Sequence, residues 1–168
     1  MTLRTATRLI SATLNKGLDQ YESGLLYPIC IGEVLKNTYR IEHKLGHGDF
    51  STVWLARDTK KKRDVALKIL APGSDNEYTM QKEIRRTVQD TPYLVTYLTT
   101  FSLTGHSGNH RVLVFPMRGP NFDSVMMNQI SMANRMSAAW QLLKALECLH
   151  SAKIVHHSEL TPTYFFPY

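Results

Sequence analysis

Hydrophobic and polar residues alternate along three successive stretches near the middle of the chain. Tyr39 to Leu45 alternates so that Ile41 and Leu45 share a face, Thr52 to Ala56 is dense in β-formers, and Asp64 to Leu70 follows with Val65, Leu67 and Ile69 opposite Ala66 and Lys68. A period of two over such short runs predicts strands. The spacers Gly46 to Ser51 and Lys60 to Arg63 are short enough to predict turns of an antiparallel meander. Leu94 to Leu103 and Arg111 to Met117, divided by a Gly105-His-Ser-Gly108 turn, complete a five-stranded sheet. Two segments change to helical spacing. After Pro72 and Gly73, Ser74-Asp-Asn-Glu77 has the form of a capping box, and Met80, Ile84 and Val88 recur behind it. From Ser131, Met132, Met136, Trp140, Leu143 and Leu146 form one stripe, which is expected to be core rather than a cofactor site. The fold class is α+β.

Composition narrows the partners. The chain has 168 residues, 43% of them hydrophobic, and 20 Lys and Arg against 14 Asp and Glu, for a net charge of +6. That balance favours anionic partners. The one dense basic run, Lys60, Lys61, Lys62 and Arg63, falls in a predicted turn and is expected to be solvated, so no nucleic-acid partner is expected. No apolar run has the length of a bilayer span, so no membrane partner is expected either. Cys30 and Cys148 lie far apart without a CxxC, which predicts neither a disulfide framework nor a zinc site and fits the cytoplasm or nucleus. The first eighteen residues hold Arg4, Arg8, Lys16 and five Ser or Thr with no acid. Such a composition suits either a mitochondrial presequence or a mobile extension.

The chemistry concentrates in the first turn and third strand. Gly46-His-Gly48-Asp-Phe-Ser51-Thr-Val53 keeps a GxGxxG spacing, with Ser51 in place of the last glycine. Glycines let backbone N–H groups approach phosphate oxygens. A dinucleotide-binding turn would open a helix, whereas here a strand follows. On the third strand Ala66 is small enough for a flat adenine ring to lie against the sheet, and Lys68, on the same face, can reach phosphates. Glu83, at the edge of the first helical stripe, is the candidate partner for Lys68, and Glu77 is the candidate cap.

With glycine loop, Val65-Ala-Leu-Lys68 and a helix carrying Glu83 in order, the chain resembles protein kinases. Tyr27-Pro-Ile-Cys-Ile-Gly-Glu33 followed by Lys44-Leu-Gly-His-Gly-Asp-Phe-Ser-Thr-Val-Trp-Leu-Ala56 is similar to the SR-protein-kinase branch. The resemblance implies a serine/threonine phosphotransferase fold. Its parts would be an extension over 1–26, a β-rich lobe and hinge over 27–118, and the first helices of a helical lobe over 119–168. It implies ATP as cofactor, held by Leu45, Gly46, Gly48, Ser51, Val53, Ala66, Lys68, Glu83, Phe115 and Met117, and a protein substrate, Arg-Ser-rich in the manner of that branch, or a docking partner. Phe115 would back the adenine, and Met117 would serve in the hinge, because Pro116 has no N–H.

Ile154 to Tyr164 takes the place of the kinase catalytic loop, with His157 on its histidine, Glu159 on its aspartate and Tyr164 on its asparagine. Glutamate carries its carboxylate farther from the backbone, and a phenol is a poor substitute for an amide oxygen on magnesium. The sequence ends at Tyr168 with no DFG aspartate. The family's Mg2+ therefore lacks its usual ligands here, and the expectation is a nucleotide-binding domain impaired in catalysis: a kinase by descent, a pseudokinase binding module, or a non-functional truncated fragment.

Overall fold

The computed structural model describes residues 20–88, 93–118 and 131–155. Six antiparallel strands form one sheet: β1 (Val34–Leu35), β2 (Tyr39–Gly48), β3 (Ser51–Asp58), β4 (Arg63–Leu70), β5 (Thr99–Gly105) and β6 (Gly108–Pro116), in the order β1-β2-β3-β4-β6-β5. The five expected strands are present, and β1 is the addition. It is two residues long and is turned onto β2 by Lys36 and Asn37, both at positive φ (50° and 51°), the primed geometry of tight hairpins. β5 starts later than its hydrophobicity suggests. Val95 and Tyr97 precede it and pack against the sheet as part of the crossing segment.

Each face of the sheet carries a cluster. Val65, Leu67 and Ile69 of β4 join Ile41, Trp54, Val112 and Val114 on one face, over which Tyr27 and Ile29 of the lead-in segment pack. Gly24, at φ +72°, lies so close to Ser107 that a Cβ would fall 2.2 Å from its Oγ, and Ser107 Oγ donates to the Ser23 carbonyl at 2.8 Å. The lead-in is thereby clipped to the β5–β6 turn. On the other face Ala66 and Leu70 join Val53, Leu113, Phe115 and Tyr97, with Leu45, Tyr78 and Val95 at the margin.

Leu45 corrects a sequence expectation. Ile41 and Leu45 share parity, yet they lie on opposite faces. Register shifts between Ile41 and His43 and between Lys44 and Gly46 each insert one residue opposite β3, and each inverts the alternation. The first shift sets Lys44 opposite Trp54 and so turns Leu45 to the Ala66 face, where the second shift leaves it as the extra residue before Gly46 pairs with Val53.

Helix α1 (Asn76–Thr87) crosses the Ala66 face, and α2 (Met132–Ser151) follows the sheet in the chain. Ser131 caps α2, accepting from the Asn134 N–H at 3.3 Å. The expected core stripe of α2 is not core among the described residues: Met132, Met136, Trp140 and Leu143 are exposed, and Ala145 and Leu149 are buried instead. Trp140 has the Tyr93 ring edge-on at 5.5 Å. No helix of the described residues is long and apolar enough to cross a membrane.

Candidate functional site

β2 and β3 meet in a two-residue turn, Asp49-Phe50, flanked by the Gly48–Ser51 pair, with His47–Thr52 and Gly46–Val53 behind it. The tip is tied to the end of β4, where the Ala71 N–H donates to the Phe50 carbonyl at 2.8 Å. Gly48 is informative because the fold does not demand it. Its φ lies outside the left-handed region, and a Cβ would meet only Ser51 Oγ, at 3.6 Å. Neither backbone conformation nor packing within the loop therefore requires a glycine at this position.

Beneath the loop, Val53 stands opposite Lys68, Lys68 opposite Leu113, and Ala66 between Leu55 and Phe115. Leu45, Val53, Ala66, Leu113 and Phe115 thus make a continuous apolar floor, with Lys68 one step beyond it toward the glycine turn. Leu113 was missed in the sequence, although the same alternation that marks Phe115 would have found it. Pro116, paired with Val65, ends the strand, and Met117 follows, half-exposed. Among the described residues no backbone group pairs with Met117.

The partner of Lys68 is Glu77. Lys68 Nζ lies 2.8 Å from Glu77 Oε2, with the two side chains 28% and 33% exposed. Glu83 corrects the sequence assignment: it binds Arg86 on its own helix in a two-pronged contact at 2.6 and 3.0 Å, and Arg86 holds its carboxyl below the usual range. At 100° per residue the two glutamates point about 120° apart around the helix, so one orientation cannot present both to Lys68. The capping box is also absent. The helix begins one residue later than expected, with Asp75 as cap residue but without a side-chain cap bond, and Glu77 reaches the sheet. Asp75 instead takes a bidentate contact from Arg111 of β6 at 2.6 and 3.2 Å, which lowers its pKa. The Arg111 guanidinium lies 4.1 Å from the centre of the Tyr78 ring. These contacts fix the helix start over the Lys68 face. The signal available beforehand was an acidic first turn, Asp75 and Glu77, next to a strand carrying Lys68.

His157, Glu159 and Tyr164 lie outside the described residues, so the site as described comprises the loop, floor, lysine and helix. No three His, Cys, Asp or Glu side chains of the described residues converge to hold a metal ion.

Comparison with known proteins agrees with this arrangement. The model of the protein kinase domain matches residues 39–158, which take in β2 to β6 and both helices. The serine/threonine-protein kinase SRPK of Physarum polycephalum is 35% identical over 160 residues, covering 88% of this chain and 38% of its own. Protein kinase dsk1 of Schizosaccharomyces pombe is 32% identical over 164 residues, 89% of this chain and 30% of its own. SRSF protein kinase 3 of mouse is 28% identical over 180 residues, 94% and 31%. The chain therefore spans roughly a third of the length of these relatives. A sheet with a glycine turn over an apolar floor, a lysine ion-paired to the following helix, and this match place the chain in the protein kinase family, on its SRPK branch.

Proposed function

We propose that this chain is the ATP-holding part of a serine/threonine protein kinase, and that it binds the nucleotide without efficient phosphoryl transfer. The family works with ATP and magnesium on protein substrates. The observation that carries the reading is the Lys68–Glu77 pair beside the apolar floor. A lysine held by a carboxylate is kept extended toward the glycine turn, where the phosphates would lie. Ala66 has no exposed surface in this arrangement, so a purine would enter by displacing Leu45, the partly buried residue at the bulge, and would rest between Ala66, Val53 and Phe115. The backbone of Met117 would meet its edge. Bound ATP supplies a transferable phosphoryl group, while these residues position it and exclude water.

The second half of the reading rests on Glu159 and Tyr164, which stand where the family's catalytic aspartate and magnesium-binding asparagine are expected. An Arg-Ser-rich peptide is the substrate class to try, given the branch. Adding Mg·ATP should raise the melting temperature of the chain, and Lys68→Met should remove that rise. No rise in the parent chain overturns the nucleotide assignment. Phosphate transfer to an Arg-Ser peptide, lost in Lys68→Met, overturns the assignment of impaired catalysis.

A further inference from the structure

The sheet end that carries the β1–β2 and β3–β4 turns gathers five exposed cations, Lys36, Lys60, Lys61, Lys62 and Arg63. The turns are joined: Thr59 donates to the Thr38 carbonyl through its N–H at 2.9 Å and its hydroxyl at 3.0 Å. None of the five forms an ion pair among the described residues. The local acids are already engaged. Asp58, 3% exposed, accepts the Lys60 and Lys61 N–H groups at 3.1 and 2.9 Å, and Asp64 is bound by Arg57 at 2.8 Å. Lys62 stands at φ +52°, where a glycine would relieve strain of about 1 kcal/mol, so a cation occupies a position the backbone would cede to glycine.

We propose that this sheet end docks an unfolded peptide segment carrying clustered negative charge. The two hairpins lie about two strand spacings apart, roughly 10 Å, which three residues of an extended peptide span. Side chains on such a segment meet both turns at once. A nucleic acid would look for exposed aromatic rings between the cations. Among the described residues the rings near this end, Tyr39 at 9% exposed and the partly buried Phe101, are stacked on each other with centroids 5.5 Å apart, so neither presents a free face between the cations. Charge without a stacking platform suits an acidic peptide. The surface is separate from the Lys68 face, so the proposal does not depend on nucleotide binding.

The test is fluorescence anisotropy of a labelled twelve-residue Glu-rich peptide titrated with the full chain, beside a single-stranded RNA of the same length. Expected are peptide binding stronger than RNA binding, and weakening of at least about tenfold in the triple variant Lys60→Glu, Lys61→Glu, Lys62→Glu. Raising salt from 50 to 300 mM should weaken it likewise, since screening shortens the reach of these charges. The side chains are exposed and the substitutions should leave the melting temperature unchanged; should they not, Lys60→Gln, Lys61→Gln, Lys62→Gln serves in their place, with a smaller loss expected. Absence of peptide binding, binding indifferent to the substitutions, or tighter binding of the RNA each overturns the proposal.

Discussion

Replacing Glu77 by Gln removes the carboxylate 2.8 Å from Lys68 Nζ while keeping the shape of the side chain. An exposed pair contributes about 0.2–1 kcal/mol, and breaking a fully buried one costs about 3–5. With side chains 28% and 33% exposed, the pair falls between, and a cost of about 1–2 kcal/mol follows. In a chain of this size that lowers the melting temperature by about 2–8 °C. The ATP-dependent rise should shrink as well, because Lys68 loses the group that holds it extended. Glu83→Gln removes a carboxylate bound only to Arg86 on the outside of the same helix, and should change neither quantity. Scanning fluorimetry of both variants and the parent, with and without Mg·ATP, separates the two. A helix turned by about 120° would present Glu83 instead. An ATP response abolished by Glu83→Gln and kept by Glu77→Gln would refute the assignment of Glu77 as the partner of Lys68.

Two further outcomes follow from individual positions. Gly48→Ala should leave the fold as stable or slightly more so, by about 0.4–1 kcal/mol, since its φ is ordinary and its Cβ has room; it should nonetheless weaken ATP, and a thermal rise equal to the parent's would show that the loop does not approach the phosphates. Burial lowers the pKa of His110, which the Leu70 carbonyl at 3.1 Å only partly restores. The unfolded chain then takes up a proton first as pH falls through about 6.5, so this group's stabilisation is present above that pH and is lost below it. Thermal unfolding between pH 7.5 and 5.5 should show the loss, and His110→Asn, which keeps a donor without titrating, should flatten it.

What the sequence disclosed and what it hid divide along one physical line. The strands, the two glycines, Ala66 and Lys68 were legible because side-chain alternation and turn chemistry are local, set by residues a few positions apart. Leu45 was placed on the wrong face because a bulge is a property of two strands: nothing within Tyr39 to Gly48 announces that β3 will oppose it with two fewer residues. Glu83 was expected as the partner of Lys68 in place of Glu77 for a similar reason. Periodicity marks a stripe but leaves open which edge of it turns to the sheet, and Met80, half-exposed though counted in the stripe, shows that the helix is turned away from that reading. What settles the rotation is the anchor of Asp75 on Arg111, thirty-six residues away, together with the Tyr78 ring under the same guanidinium. Gln81, whose buried Oε1 has no described hydrogen-bond partner, is a cost of this orientation. The lysine contact, the Arg111 anchor and the buried Ile84 offset it. The ion pair at the centre of the site is therefore a tertiary outcome. Its residue types are visible in the sequence, while its pairing is fixed by contacts from a strand beyond the helix.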